Sequence, residues 1–347
     1  MAKQKPSQLR IYALSTLISV ALVAFVGVKS GIGALFLVLI LAALEITFSI
    51  DNAVVNTRIL EKMSRVWQQA FLTVGMIVAV FGVRVILPLG IVAGLAGMNM
   101  TDVLNLAINN PTEYGHKLED AHPIISAFGG VFLMMIFLDF FLKERKIKWL
   151  KALENILAKA GKLQNMSIIL TSFTLLAFSS FLPSEEHLDV LTAGFFGLLT
   201  YLLINSFDTV LHNAGVEKNL SKGATNTFKA GLIGFIYLNV VDASFSLDGV
   251  IGAFAITNQI LIIAVGLGIG ALYVRVITIH MLRHGVLDQY KYIEHGAHYA
   301  IGILAILLFV SLKIQVSEIF TGLVGMVFVI TAVVHSVIEA KSKKQKG

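Results

Sequence analysis

The chain of 347 residues contains no cysteine and only 5 prolines, and its Asp, Glu, Lys and Arg together reach only 14%. The missing cysteine excludes disulfides, thiolate metal ligands and cysteine nucleophiles, and leaves the redox compartment open. The scarcity of charge excludes an ordinary soluble domain, whose wetted surface needs about a quarter of its residues charged. Neither a nucleotide-binding GxxxxGK[ST] loop nor a zinc-protease HExxH helix is present, so ATP-driven pumping and metalloproteolysis lack their usual residues. Ser49 and Ser246 have no histidine in their own segments to activate them. Together these absences argue against an enzyme. What remains is apolar: 56% of the residues, with a mean hydropathy of +0.83. The composition predicts an all-α polytopic membrane protein with the lipid bilayer as its main partner.

Ten apolar runs are long enough to cross about 30 Å of hydrocarbon. They cover residues 11–28, 32–56, 70–97, 122–142, 166–182, 188–211, 228–255, 258–283, 297–313 and 316–339. The first follows Lys3, Lys5 and Arg10, so a cleaved signal peptide competes with a retained span. Basic residues in membrane proteins chiefly record topology, so the net charge of +6 is no sign of nucleic-acid binding. With a cytoplasmic N-terminus, the inner segments hold 22 of the 27 Lys and Arg and the outer segments only Lys29, Lys117 and Lys313. That bias predicts ten transmembrane helices with both termini in the cytoplasm. The basic loop 143–165 carries Trp149, Leu150, Leu153, Ile156 and Leu157 at helical spacing, which predicts an amphipathic helix on the inner membrane surface.

Two segments read alike: Glu45–Val54 (EITFSIDNAV) and Asp242–Ile251 (DASFSLDGVI), 197 residues apart. The next run in each half carries one arginine, Arg84 in FGVRVI and Arg275 in LYVRVI. The run after that opens with Glu119-Asp-Ala-His122 in one half and Glu294-His-Gly-Ala-His298 in the other. Three matching features in one order predict two repeats, residues 1–182 and 183–347, of five spans each. Because five is odd, the second repeat enters the membrane from the opposite side. Such inverted repeats are a transporter architecture, with the substrate held near the midplane where the halves meet.

Ionisable groups inside hydrocarbon cost about 2.5–3.5 kcal/mol each even on the lenient insertion scale, and therefore mark function by default. The repeats hold four such acids, Glu45, Asp51, Asp242 and Asp248, against Arg84 and Arg275. If all six ionise, two negative charges are in excess, which one divalent cation would neutralise. Acids six positions apart on a continuous helix stand about 240° apart. Either the helix is broken near Ser49–Asn52 and near Gly249, freeing carbonyls to join the coordination, or the paired acids serve different neighbours. Carboxylate, amide, hydroxyl and carbonyl oxygens are hard donors suited to Mg²⁺, Ca²⁺ or Mn²⁺. His122, His298 and His280 near span ends would favour Mn²⁺ or Zn²⁺. Structural readings compete with these: each arginine neutralises one carboxylate as an ion pair, or burial protonates the acids. Glu119 with His122 and Glu294 with His298 read equally as secondary metal ligands or as interfacial helix caps. Asp139 and Asp208 read as wetted groups at cytoplasmic span ends, and His335 has no evident partner.

On the paired motifs, Arg84, Arg275 and the segment Glu294–His298, residues 32–340 resemble the TerC superfamily of integral membrane proteins, in particular its domain-of-unknown-function branch. The resemblance implies kinship with small cation transporters that include bacterial manganese exporters. It implies a metal set of Glu45, Asp51, Asp242 and Asp248 with Asn52 adjoining, and residence in the bacterial plasma membrane. The chain is longer than the commoner members of that superfamily, which have about seven spans. The expected function is export of a divalent cation, Mn²⁺ before Ca²⁺, as a passing substrate with no permanently bound cofactor. The alternative is a non-transporting membrane scaffold of a tellurite or metal stress-response complex, its buried charges serving packing.

Overall fold

The computed structural model describes residues 8–61, 63–213, 224–257, 259–314, 316 and 318–346. Within these, the side chains of Asp51, Asp208 and residues 244–248, Asp248 among them, lie outside the described set. The described chain is helical. In order come α1 (Gln8–Phe48), α2 (Ile50–Glu61), α3 (Arg65–Ile77), a π-helix (Val78–Ile86), α4 (Leu87–Ala96), α5 (Met100–Asn109), α6 (Pro111–Asp120) and α7 (His122–Phe141). They are followed by α8 (Lys151–Ala160), α9 (Met166–Ser179), α10 (Ser184–Asn213), α11 (Ala224–Ile256), α12 (Ile260–His284), α13 (Val286–Gln289), α14 (Ile293–Ser311) and α15 (Glu318–Lys346).

Six helical stretches among the described residues are long and apolar enough to cross a membrane: Ser15–Ile46, Arg65–Gly94, His122–Phe141, Ile260–His284, Ile293–Ser311 and Leu323–Ser342. The chain is a membrane protein of the all-α class. The predicted fifth run appears as α9, 14 residues long and so about 21 Å, shorter than the hydrocarbon core. In the seventh run, the apolar stretch of described residues is Gly231–Ala243.

The first apolar stretch is two helices in one. Gly31 has φ 84° and ψ 177°, a region open almost only to glycine. Before it, Tyr12 lies beside His280, with ring centroids 6.0 Å apart, and Thr16 Oγ1 is 3.1 Å from Tyr273 Oη. After it, Leu41 packs on Gly266 and Glu45 on Gly270. Residue numbers therefore fall along α12 before Gly31 and rise after it. The chain reverses there, where the sequence predicts a tight turn at 29–31.

Packed helices run both antiparallel and parallel. Helix α7 runs against α14, with Ser126 beside Ser311 at one end and Phe141 beside Tyr299 at the other. Tyr299 also meets Phe328, and the Tyr292 N–H donates to Ser336 Oγ, so α15 is antiparallel to α14. Helix α11 runs parallel to α3, with Gly231 on Trp67 and Phe235 on Trp67 and Gly75. One apolar core draws on both halves of the sequence, from Val131–Ile136 to Ala297–Ile301.

The stretch 98–121, between the third and fourth predicted runs, folds as α5 and α6, which bury Val103, Ala107, Tyr114 and Leu118. Pro111 starts α6, and the Asn110 carboxamide oxygen accepts from Glu113 N–H, a cap the Asn-Pro-x-Glu order encodes. The predicted basic amphipathic helix is confined to α8, because residues 143–150 are held irregularly by side-chain bonds. Glu154, only 3% exposed, accepts from the N–H groups of Trp149 and Leu150 at 3.0 Å each. Leu153 and Ile156 stay exposed, as a membrane-facing stripe requires.

The φ of Gly31 generates a direct prediction. A non-glycine residue there costs about 1–3 kcal/mol, so Gly31→Val lowers the melting temperature of the purified protein. Gly33→Ala is the control: Gly33 has no positive φ, and a methyl group on it would meet no neighbour within 4 Å, so its melting temperature stays at the wild-type value. Equal melting of the two variants would contradict a reversal at Gly31.

Candidate functional site

At the end of α1 the backbone barely departs from helix. Ser49 forms a single turn residue, yet Ser49 N–H still donates to Glu45 O at 3.1 Å and Ala53 N–H to Ser49 O at 3.0 Å. Helix α11 runs unbroken through Gly249. The predicted break, with carbonyls freed for a ligand, is absent at both places, because the intrahelical bonds close over the serine and no proline interrupts either motif. Acids six apart therefore face different neighbours, and Glu45 and Asp242 are the two whose surroundings are described.

These two acids, one from each motif, meet at the buried centre of the bundle. Glu45 is 4% exposed and Asp242 5%, with Arg84 at 5% and Arg275 at 3% beside them. Arg84 Nη2 donates to Glu45 Oε1, and Ser49 Oγ–H donates to the same oxygen at 3.2 Å. Arg84 Nη1 donates to the Ala79 carbonyl at 2.8 Å and stands 4.0 Å from Asp242 Oδ2. Arg275 Nη2 lies 3.8 Å from that oxygen, while its Nη1 donates across to Phe71 O at 2.6 Å and its guanidinium covers the Phe71 ring. Asn52 Nδ2 donates to Asp242 Oδ1 at 2.9 Å. Gly270 allows this density, since a methyl group on it would come 2.4 Å from Glu45 Cβ.

The charges of these four groups cancel, since two carboxylates face two guanidinium groups. Their hydrogen bonding is less complete. Asp242 Oδ2, Asn52 Oδ1, Asn56 Oδ1, Arg84 Nε, and Arg275 Nε and Nη2 are buried without a hydrogen-bond partner. Unpaired buried polar atoms are costly, so the site is short of partners for both acids and bases. Its free oxygens are hard donors, a carboxylate and two amides.

Of the predicted metal set, the structure brings together Glu45, Asn52 and Asp242, and the charge partners Arg84 and Arg275 join them. The side chains of Asp51 and Asp248 lie outside the described residues, although Asp51 heads α2 beside Asn52. Among the described residues no three His, Asp or Glu side chains cluster closely enough to hold a metal ion. The predicted secondary set is not one cluster. Glu119 pairs with His116 at 3.5 Å, and His122 Nε2 lies 3.3 Å from Ser126 Oγ. At the far end of the bundle, Glu294 meets Arg58 Nε at 3.3 Å. His298 stacks on Phe140 with centroids 3.6 Å apart, and its Nδ1 lies 2.7 Å from Glu294 O. Since Ser126 touches Ser311, thirteen helical residues, about 20 Å, separate the two groups.

Other groups escaped the sequence reading. Asn56, 1% exposed, stands one turn after Asn52, and that i, i+4 amide spacing was the available signal. Glu154 receives Tyr299 Oη–H at 3.2 Å and lies 3.5 Å from His295 Nε2. An acid placed among apolar residues in an otherwise basic loop was its signal. His335, without a partner in sequence terms, accepts from Trp149 Nε1–H at 2.8 Å. Asp139 accepts from Tyr201 Oη–H at 2.8 Å and is therefore bonded as well as partly wetted. Outside the spans, burial lowers the pKa of Arg145, opposed by the nearby Glu294 carboxylate.

The fold and its buried charges define an all-helical integral membrane protein with a polar centre built from both halves of the chain. Residues 50–343 match the family described as "Protein of unknown function (DUF475)", and the chain belongs to that family. No curated protein and no solved structure matches it.

The Asn52–Asp242 bond generates a prediction for the site itself. Asn52→Ala leaves Asp242 with one bonded donor fewer, a loss of about 1–3 kcal/mol readable in denaturant unfolding of the detergent-solubilised protein. An unchanged unfolding midpoint would show that the amide does not support Asp242.

Proposed function

We propose that the protein is a divalent-cation transporter of the bacterial plasma membrane, most simply an exporter of Mn²⁺, with no enzymatic step and no resident cofactor. The observation that carries this reading is the buried meeting of Glu45 and Asp242, one from each motif copy, with the amide of Asn52 and the unpartnered oxygens Asp242 Oδ2 and Asn52 Oδ1. Such groups at the centre of a membrane bundle are expensive and mark ion pathways. In this reading Asp51 and Asp248, a turn and a half further along their helices, extend the acidic path toward opposite faces.

The reading includes ten spans in two inverted repeats with both termini cytoplasmic, and kinship with the TerC superfamily. Reciprocal contacts support the repeat. Val38 of the first half lies on Gly266 of the second, and Phe235 of the second lies on Gly75 of the first. These are matched positions, 197 apart on the motif helices and 191 apart on the arginine helices. Likewise Asn52 bonds Asp242, while a methyl group on its counterpart Gly249 would stand 3.1 Å from Glu45 Oε2. The relative directions of the α1 segments, α3, α7, α11, α12, α14 and α15 are compatible with alternation. Alternating access then follows from rocking of one repeat against the other about the shared site.

A second reading, a non-transporting membrane scaffold, is favoured by one observation: Glu45 and Asp242 each have an arginine within 4.0 Å, as packing alone would need. It predicts no metal binding, and loss of a partner when Lys146, Lys148 and Lys151 are changed to glutamate.

Transport is tested in proteoliposomes. Asp51→Asn and Asp248→Asn each abolish Mn²⁺ flux while the variants remain folded and monodisperse. Wild-type rates in both would rule the proposed path out.

A further inference from the structure

We infer that Arg84 is a tethered counter-cation that takes the transported ion's place on the central carboxylates and lets the carrier reorient without cargo. The inference rests on the transport reading above. Arg84 bonds Glu45 directly and stands 4.0 Å from Asp242 Oδ2, also without a hydrogen bond to it, so it alone of the two arginines lies within reach of both acids. Arg275 is engaged elsewhere, by the Phe71 carbonyl and ring, and approaches Asp242 without a hydrogen bond. A divalent ion approaching Glu45 and Asp242 meets a guanidinium already in place. Like charges at such distances in a buried site repel strongly, so ion and guanidinium compete for the same oxygens.

The helix that carries Arg84 differs from the one that carries Arg275. Residues Val78–Ile86 form a π-helix, a rare form in which one extra residue is taken into the turn. Its cause is readable in the sequence. Pro88 has no N–H to give the Arg84 carbonyl, and its ring crowds that carbonyl in a regular α-helix. The matching segment around Arg275 has Ile279 in the proline's place, and α12 passes through it as unbroken α-helix. The π-helix also supplies the second anchor, because Arg84 Nη1 donates to the Ala79 carbonyl five residues back. The two arginines therefore divide the work: Arg275 fixes one helix against the other half, and Arg84 exchanges with the substrate.

A tethered counter-cation has a kinetic signature that a structural ion pair lacks. Proteoliposomes loaded with radiolabelled Mn²⁺ are assayed for net efflux into Mn²⁺-free buffer and for exchange against external Mn²⁺. Wild-type protein performs both. In Arg84→Gln, exchange persists because the ion itself neutralises the acids, whereas net efflux falls by more than about tenfold, within the range of coupling between competing ligands. Net efflux at the wild-type rate in Arg84→Gln, or loss of both activities in folded protein, overturns the inference. Should Arg84→Gln not reach the membrane, Arg84→Lys decides, since it keeps the charge and is expected to keep both activities; any other pattern in it overturns the proposal. If the wild-type protein moves no cation in either assay, the transport reading itself fails and the role of Arg84 falls with it.

Discussion

Two carboxylates and two guanidinium groups buried at the centre of an apolar bundle are the constraint around which the described structure is arranged. None of the four is stable in hydrocarbon alone, and each is supplied by a different helix: α1, α11, α12 and the π-helix. Their mutual attraction fixes how those helices cross. The crossing in turn demands glycine where the backbones close in, as at Gly270 against Glu45. It also requires the chain to reverse at Gly31, so that Glu45 arrives beside α12 in a parallel direction. A buried ion pair adds little net stability over well-packed apolar groups, because desolvation offsets attraction. Retaining four such groups at one point is therefore better explained by what they do than by what they hold together.

The arrangement is unequal in a way that bears on function. Glu45 receives two hydrogen bonds, from Arg84 and Ser49, whereas Asp242 is held by Asn52 through one oxygen and leaves the other without a bond. The sequence difference behind this is small: asparagine at 52 against glycine at 249, and proline at 88 against isoleucine at 279. Among the described residues each carboxylate thus keeps one oxygen without a hydrogen bond, Glu45 Oε2 and Asp242 Oδ2, and a further ligand gains most there.

Much of this was legible in the sequence. Composition and apolar run length predicted the membrane class, and the paired motifs singled out Glu45, Asp242, Arg84 and Arg275, which the fold then brings together. The rest was hidden for physical reasons. A π-helix depends on how one proline is accommodated against its neighbours, and sequence periodicity does not show it. Helices α5 and α6 have 10 residues each, too short to register as apolar runs. Glu154 is buried only because the segment 143–150 folds back over it, a tertiary event that its basic surroundings conceal. The break offered as one alternative at Ser49–Asn52 rested on small polar residues, yet the backbone bonds from Ser49 N–H to Glu45 O and from Ala53 N–H to Ser49 O keep the helix closed there.

The central claim is that Glu45 and Asp242 form a cation site. It is tested most directly by equilibrium Mn²⁺ binding to the purified protein in lipid nanodiscs, wild type against Asp242→Asn. The account predicts saturable, stoichiometric binding that Asp242→Asn weakens by tenfold or more, as about 1.4 kcal/mol of lost interaction requires. Folded wild-type protein that binds no Mn²⁺, or an Asp242→Asn variant that binds as tightly as wild type, would contradict it.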